Sequence, residues 1–323
     1  MYKKGFQMMW WYQLLSYGIL MLFSALSAVV IHISGADVMQ GVALLSELVL
    51  IIPCIAGYFL FVKGADGNAG FKELGFRPLK PEYILYILLM PALYQIFCVY
   101  MTMPLTLGLN ALFGSDTPDI EMPKNAFDCV LTVFSLCIAA PLLEEFIYRG
   151  VMVRMLKGYS FQTVMLTTSL AFAMMHMDMS GFVQIFFLGM LLFVLRYVTD
   201  SIFASMTAHA IVNFTSFMSM IMMEKDVSGL MPVILAVEIG SLVIIPFLLV
   251  NFLKTADETE RWTRRVSLKG KKAGVSAGCI IFVAIFVLWN IGILIGNIES
   301  GYVSDSIGKM FEDNGSIYEE GIN

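Results

Sequence analysis

The chain has 323 residues, 59% of them apolar and 14% charged, with a net charge of -5. Soluble domains run nearer half apolar and a quarter charged, so an ordinary soluble fold is excluded and nothing points to nucleic acid. Apolar stretches of about 20 residues, the length an α-helix needs to cross the hydrocarbon core, recur from end to end, and the chain reads as an all-α polytopic helical membrane protein.

About eight to nine transmembrane helices are expected. They lie near residues 8–33, 40–62, 82–106, 126–147, 159–176, 181–200, 201–223, 230–253 and 274–296. Pro91 and Pro104 predict a kink or break in the third. The fifth is short, and the sixth and seventh are almost continuous in sequence. Of the 20 lysines and arginines, all but Lys124, Lys225 and Lys309 fall on one side or its edge if the N-terminus is inside, so the positive-inside rule predicts an N-in/C-out topology.

The loops at 63–81 and 254–273 read as linkers, the second basic enough to lie against anionic headgroups. Cys54, Cys98, Cys137 and Cys279 fall within spans and Cys129 near the start of one. None forms a CxxC pair, so they read as small buried hydrophobes. No glycine-rich nucleotide loop or internal repeat is visible. The first apolar segment is too long for an ordinary signal-peptide core. The acidic tail carries no retrieval or lipidation signal, which makes a bacterial plasma membrane the expected location.

With the loop charges set aside, Glu47, Glu144, Glu145, Arg149, His176, His209, Asn213 and Glu238 remain inside or near spans. Intramembrane ionisable residues are functional-site candidates. Glu145 and Arg149 are four residues apart, so they share a helix face and can pair. Glu144 is turned about 100° away. The arginine then holds Glu145 ionised and fixed and leaves Glu144 free to act as a general base. By itself, EExxxR is also what a helix-end salt-bridge cluster looks like. His209 and Asn213 again share one face. A neutral imidazole can orient a water or take a proton, and a histidine and an amide side by side can donate to a developing oxyanion.

"EEFIYR" (144–149), "FAMMH" (172–176) and "HAIVN" (209–213) resemble the three motifs of the CAAX protease and bacteriocin-processing family, also called Abi: EExxxR, FxxxH and HxxxN or HxxxB on successive membrane helices. The resemblance covers residues 125–220. It implies an intramembrane endopeptidase acting on a membrane-associated peptide or protein at the lipid bilayer. In it, Glu144 activates water with the help of His176, Glu145 and Arg149 are supporting residues, and His209 and Asn213 hold the oxyanion. Phe172 fits FxxxH and is most simply packing. The family is described both as glutamate proteases and as metalloproteases. A metal site would draw on Glu144, His176 and His209, which zinc accepts. The absence of HExxH and the presence of Asn213 favour a metal-independent glutamate mechanism without cofactor.

Residues 1–124 then form N-terminal membrane helices of unassigned role, 125–220 the catalytic core, and 221–323 C-terminal helices, basic loop and acidic tail. For the motifs to meet at one depth, the fourth helix must run past Arg149, towards Lys157, and "HMDMSG" (176–181) must tuck into the protein. Glu47 and Glu238 match no motif and read as structural carboxyls. Arg196, at a helix end, is expected to snorkel. Two other functions fit the same residues: a non-proteolytic immunity or scaffold protein, and a proton-coupled transporter using its intramembrane carboxylates.

Overall fold

The computed structural model describes residues 4–34, 39–63, 70–114, 123–224, 231–260 and 276–306, and no strand is present among them. Each predicted span is matched by a helical segment. These are α1 (Gly5–Ser34), α3 (Ile84–Phe113), α4 (Ala126–Met155), α5 (Phe161–Met175), α6 (Phe182–Thr199), α7 (Ile202–Glu224), α8 (Met231–Glu260) and α9 (Ala277–Glu299). The second span, α2 (39–63), is broken. Met39–Val49 and Ile51–Gly57 are α-helical and Tyr58–Lys63 is a π-helical turn. Pro53 explains the break, because its missing N–H cannot reach the Val49 carbonyl. α3 instead runs unbroken through Pro91 and Pro104, packed along α7 and α8.

Among the described residues seven helical stretches are long and apolar enough to cross a membrane, fewer than the expected eight to nine. The two that fall short are α5 and α7. With 15 residues α5 is about 22 Å long at 1.5 Å per residue. α7 has the length, but Ser205, His209, Asn213, Thr215 and Ser219 lower its hydropathy. Both carry motif residues. Ser205 and His209 are buried in the protein, whereas Ser219 and His176 are exposed.

Two hydrophobic cores flank α6. One gathers Trp10, Tyr12, Tyr148, Phe172, Phe193 and Phe282, the other Tyr83, Ile87, Leu192, Leu195 and Phe252. Successive α6 residues, Leu192 and Phe193, point into different cores, as the 100° step of a helix requires. α4 runs on to Met155, as joining the motifs demands, so the expected end at 147 is too early. The turn after α5 is tucked in: Met177 and Ser180 are buried, Asp178 accepts from the N–H groups of Ser180 and Gly181, and Ser180 Oγ donates to the Gly114 carbonyl.

Two expectations are corrected. Residues 70–83 are not a linker but a docked segment. Gly75, at φ +96°, accepts from the Ile202 N–H at 2.8 Å, the Arg77 carbonyl accepts from Ser201 Oγ at 2.6 Å, and Arg77 pairs with Asp200. This clamp holds the tight α6–α7 corner. Arg196 does not snorkel: it is buried, donates from Nε to the Arg149 carbonyl at 3.2 Å, and lies 3.6 Å from Asp200. The five cysteines are free and buried or half-buried. The side chain of Glu238, residues 261–275 of the basic stretch, and the acidic tail from 307 lie outside the described part.

α5 and α6 approach each other most closely at Gly189, where a Cβ would stand 3.0 Å from Ser169 Cβ and 3.1 Å from its Cα. Overpacking such a contact costs about 1–3 kcal/mol. Gly189→Ala is therefore expected to lower thermal stability in detergent by about that much. Gly292→Ala on α9, where nothing lies within 4 Å, leaves it unchanged.

Candidate active site

α4 carries two π-helical turns, Ser135–Ala139 and Phe146–Met152, on either side of the diglutamate. Pro141 accounts for the first. In that turn the Ala140 N–H bonds back to the Ser135 carbonyl, five residues away. The Leu136 carbonyl would in the same register face the nitrogen of Pro141, which has no hydrogen to give. Asn213 supplies the missing donor from α7: its Nδ2 bonds the Leu136 oxygen at 2.7 Å. An amide has two N–H groups, so one remains for other work.

Glu145 and Arg149 are both completely buried. Arg149 Nη1 donates to Glu145 Oε1 at 2.9 Å, and Nη2 donates to the Gly189 carbonyl at 2.9 Å. The guanidinium lies 4.5 Å over the Phe172 ring, a cation–π contact in a desolvated setting. His209 Nδ1 stands 3.2 Å from the same Oε1. A carboxylate oxygen held by an arginine can only accept, so Nδ1 donates, and in the neutral imidazole Nε2 carries the lone pair. The buried Ser205 hydroxyl lies beside this carboxylate as well.

That lone pair points at the neighbouring glutamate. His209 Nε2 is 3.9 Å from Glu144 Oε2, and the Glu144 side chain is 16% exposed while its partner glutamate is at zero. Glu144 Oε2 is itself buried with no hydrogen-bond partner. Two acceptors across such a gap suit a molecule with two hydrogens to give, such as water. His176 stands beside Phe172. It is exposed, and its Nδ1 donates to the Phe172 carbonyl at 2.9 Å, which leaves Nε2 free. The Phe172 ring stands edge-on to both imidazoles, with centroids 5.1 Å from His176 and 5.6 Å from His209.

Residues 126–215, which hold all of these groups, match the family model described as Rce1-like, type II CAAX prenyl endopeptidase. The motif-bearing segment is thus similar to that family of prenyl endopeptidases. No curated protein and no solved structure matches the chain. The matched segment spans α4 to most of α7, so α1 to α3, α8 and α9 lie outside it.

The structure thus brings Glu144, Glu145, Arg149 and His209 into one contact network. It sets Asn213 one turn from His209 against α4, and His176 beside Phe172. Among the described residues no three His, Cys, Asp or Glu side chains converge closely enough to hold one metal ion. Beside the diglutamate lies an almost wholly apolar cavity of about 500 Å³, walled by Tyr58, Phe71, Phe76, Leu143, Phe146 and Met206. The docked segment 70–83 supplies two of those aromatic rings.

Several participants carry no sequence signal. Gly189 acts through its carbonyl, and Ser205 is one serine among many. Phe172 was legible only as the first letter of FxxxH. Gln13 on α1 is fully buried, and its Nε2 reaches Tyr148 Oη at 3.3 Å and the Ala171 carbonyl at 3.2 Å, tying α1 to α4 and α5.

Removing one partner of a buried pair costs about 3–5 kcal/mol, because the other charge stays buried and uncompensated. Arg149→Met is expected to destabilise the detergent-solubilised protein by about this amount in chemical denaturation. Arg149→Met combined with Glu145→Leu, which removes both charges, recovers part of the loss.

Proposed function

We propose that the protein is an intramembrane endopeptidase that hydrolyses a peptide bond of a membrane-associated substrate with water activated by Glu144. The observation that carries this reading is the 3.9 Å gap between Glu144 Oε2 and His209 Nε2. A water bridging them gives one hydrogen to each and keeps its oxygen lone pairs for attack. Glu145 fixes the tautomer and orientation of His209, and Arg149 keeps Glu145 an acceptor. Glu144 takes the proton of the attacking water. The second N–H of Asn213, one turn along α7, can donate to the oxygen of the tetrahedral intermediate. His176 offers Nε2 at the exposed side, where it can orient water or substrate.

The apolar cavity beside the diglutamate suits an apolar side chain or hydrocarbon chain of the substrate, and the seven apolar helices fit delivery from the bilayer. The basic residues support a cytoplasmic N-terminus and an outward C-terminus, and we place the protein in a bacterial plasma membrane. Leader peptides, signal-peptide remnants and prenylated peptides all fit this site.

The test compares membrane-associated peptides by mass spectrometry in cells making native protein or Glu144→Gln at equal abundance. A general base contributes about 10²- to 10⁴-fold, so fragments present with native protein should fall at least about 100-fold with the variant. Identical profiles from the two folded proteins would overturn proteolysis in favour of a scaffold or immunity protein. Proton-dependent solute uptake lost on Glu144→Gln would instead indicate a transporter.

A further inference from the structure

The apolar cavity beside the diglutamate is graded from outside to inside. Ile55 and Phe59 of α2, Phe71 of the docked segment and Leu142 of α4 line it and are exposed, whereas Cys54 and Met206 in the same wall are buried. Ile55, Phe59 and Leu142 lie in stretches long and apolar enough to span a membrane, so their exposed faces meet lipid. The cavity therefore opens sideways into the bilayer. Its volume of about 500 Å³ is more than three times that of an apolar cavity of about 150 Å³ that binds one benzene. An almost wholly apolar wall leaves water and peptide backbone short of hydrogen-bond partners. The group that suits it is a hydrocarbon chain.

Positive charge stands at the edge of this opening. Lys63 Nζ lies 5.5 Å over the Phe59 ring. Phe59 stands edge-on to Tyr58 at 5.2 Å, and Tyr58 stacks on Phe71 at 4.9 Å. Lys72 follows Phe71 in the docked segment and is exposed, as Lys63 is. Two lysines thus flank one continuous row of aromatic rings along the cavity. Neither forms an ion pair among the described residues. Glu73, the acid beside Lys72, is held instead by Arg154 at 3.1 Å. An ammonium brings three N–H donors and needs acceptors for them. The positive-inside rule supports the cytoplasmic leaflet for both lysines, where anionic headgroups supply such acceptors.

Chain and charge together describe one ligand. We infer that this is a binding site for an anionic phospholipid of the bilayer, with an acyl chain in the cavity and the headgroup at Lys63 and Lys72. The site joins α2 and the docked segment, both outside the family-matched residues, to α4 and α7 within them. Leu143 and Phe146, the residues on either side of the diglutamate, form part of its wall, so the lipid chain is a neighbour of the proposed base. The inference goes beyond the proteolytic reading and stands without it, because the lipid binds whether or not the diglutamate hydrolyses anything.

The test is native mass spectrometry of the full-length, delipidated protein in detergent. Phosphatidylglycerol and phosphatidylcholine with matched acyl chains are added in turn. The native protein should retain a single phosphatidylglycerol and hold phosphatidylcholine more weakly. A basic residue near an anionic headgroup is worth about 5-fold in affinity. Lys63→Gln and Lys72→Gln should therefore each weaken phosphatidylglycerol about 5-fold, and together about 25-fold, with phosphatidylcholine unchanged. Met206→Trp, which fills the cavity from its buried end, should abolish retention. Should that variant not fold, Ile55→Trp at the exposed rim makes the same test.

Equal retention of the two lipids, or retention unchanged by the double lysine substitution, overturns the headgroup assignment and with it the site. Retention that survives a folded tryptophan variant places the lipid on the basic surface and not in the cavity, and also overturns it. Two further probes separate the parts of the ligand. Glycerol 3-phosphate held as tightly as phosphatidylglycerol would mean an anion site only. Dodecanol held as tightly would mean a cavity for any hydrocarbon, including one carried by a substrate. Either result overturns the phospholipid.

Discussion

A positive charge with no water around it organises the centre of this molecule. The guanidinium of Arg149 is completely buried, and a buried ion survives only when its partners are close. Glu145 takes one arm, the Gly189 carbonyl takes another, and the Phe172 ring lies under the plane. Those three partners come from α4, α6 and α5. Through Glu145 the network reaches His209 on α7. Satisfying one arginine therefore brings α6 and the three motif helices α4, α5 and α7 to one point, and the hydrophobic cores on either side of α6 fill in around it.

The same constraint divides the labour between two adjacent and chemically identical residues. A helix turns successive side chains apart by about 100°, so the arginine can engage only one glutamate. The engaged one is fixed and serves to orient an imidazole. Its neighbour is left partly open, with a buried oxygen lacking a donor, facing the imidazole nitrogen that the first glutamate has made an acceptor. Pro141, just upstream, contributes by an absence. Its missing N–H leaves a carbonyl on α4 to be filled by Asn213, and that bond sets α7 in register with α4.

Building such a site in a bilayer has visible consequences for the helices. α5 is too short and α7 too polar to pass as spans by length and composition. His209 on α7 and Phe172 on α5 are buried. Polar side chains are tolerated at membrane depth where protein or a cavity covers them. The docked segment 70–83 extends this cover. It clamps the α6–α7 corner through Gly75, Arg77 and Ser201, and places Phe71 and Phe76 on the wall of the apolar cavity.

The sequence by itself determined the all-helical membrane architecture, the approximate position of each helix, and which residues are candidates for the site. It did so because these depend on local quantities: apolar run length, the four-residue spacing of Glu145 with Arg149 and of His209 with Asn213, and the order of three short motifs. It also located the weak point of that reading, since α4 had to continue past Arg149. Only the tertiary structure decided which histidine stands next to Glu144, what Asn213 bonds, and that the 70–83 segment and Arg196 are built into the core. Each of those facts is a contact between residues distant in sequence. Such contacts follow from how a buried charge, a carbonyl without a donor and a close helix–helix approach are all satisfied at once, and no local pattern of residues encodes that joint solution.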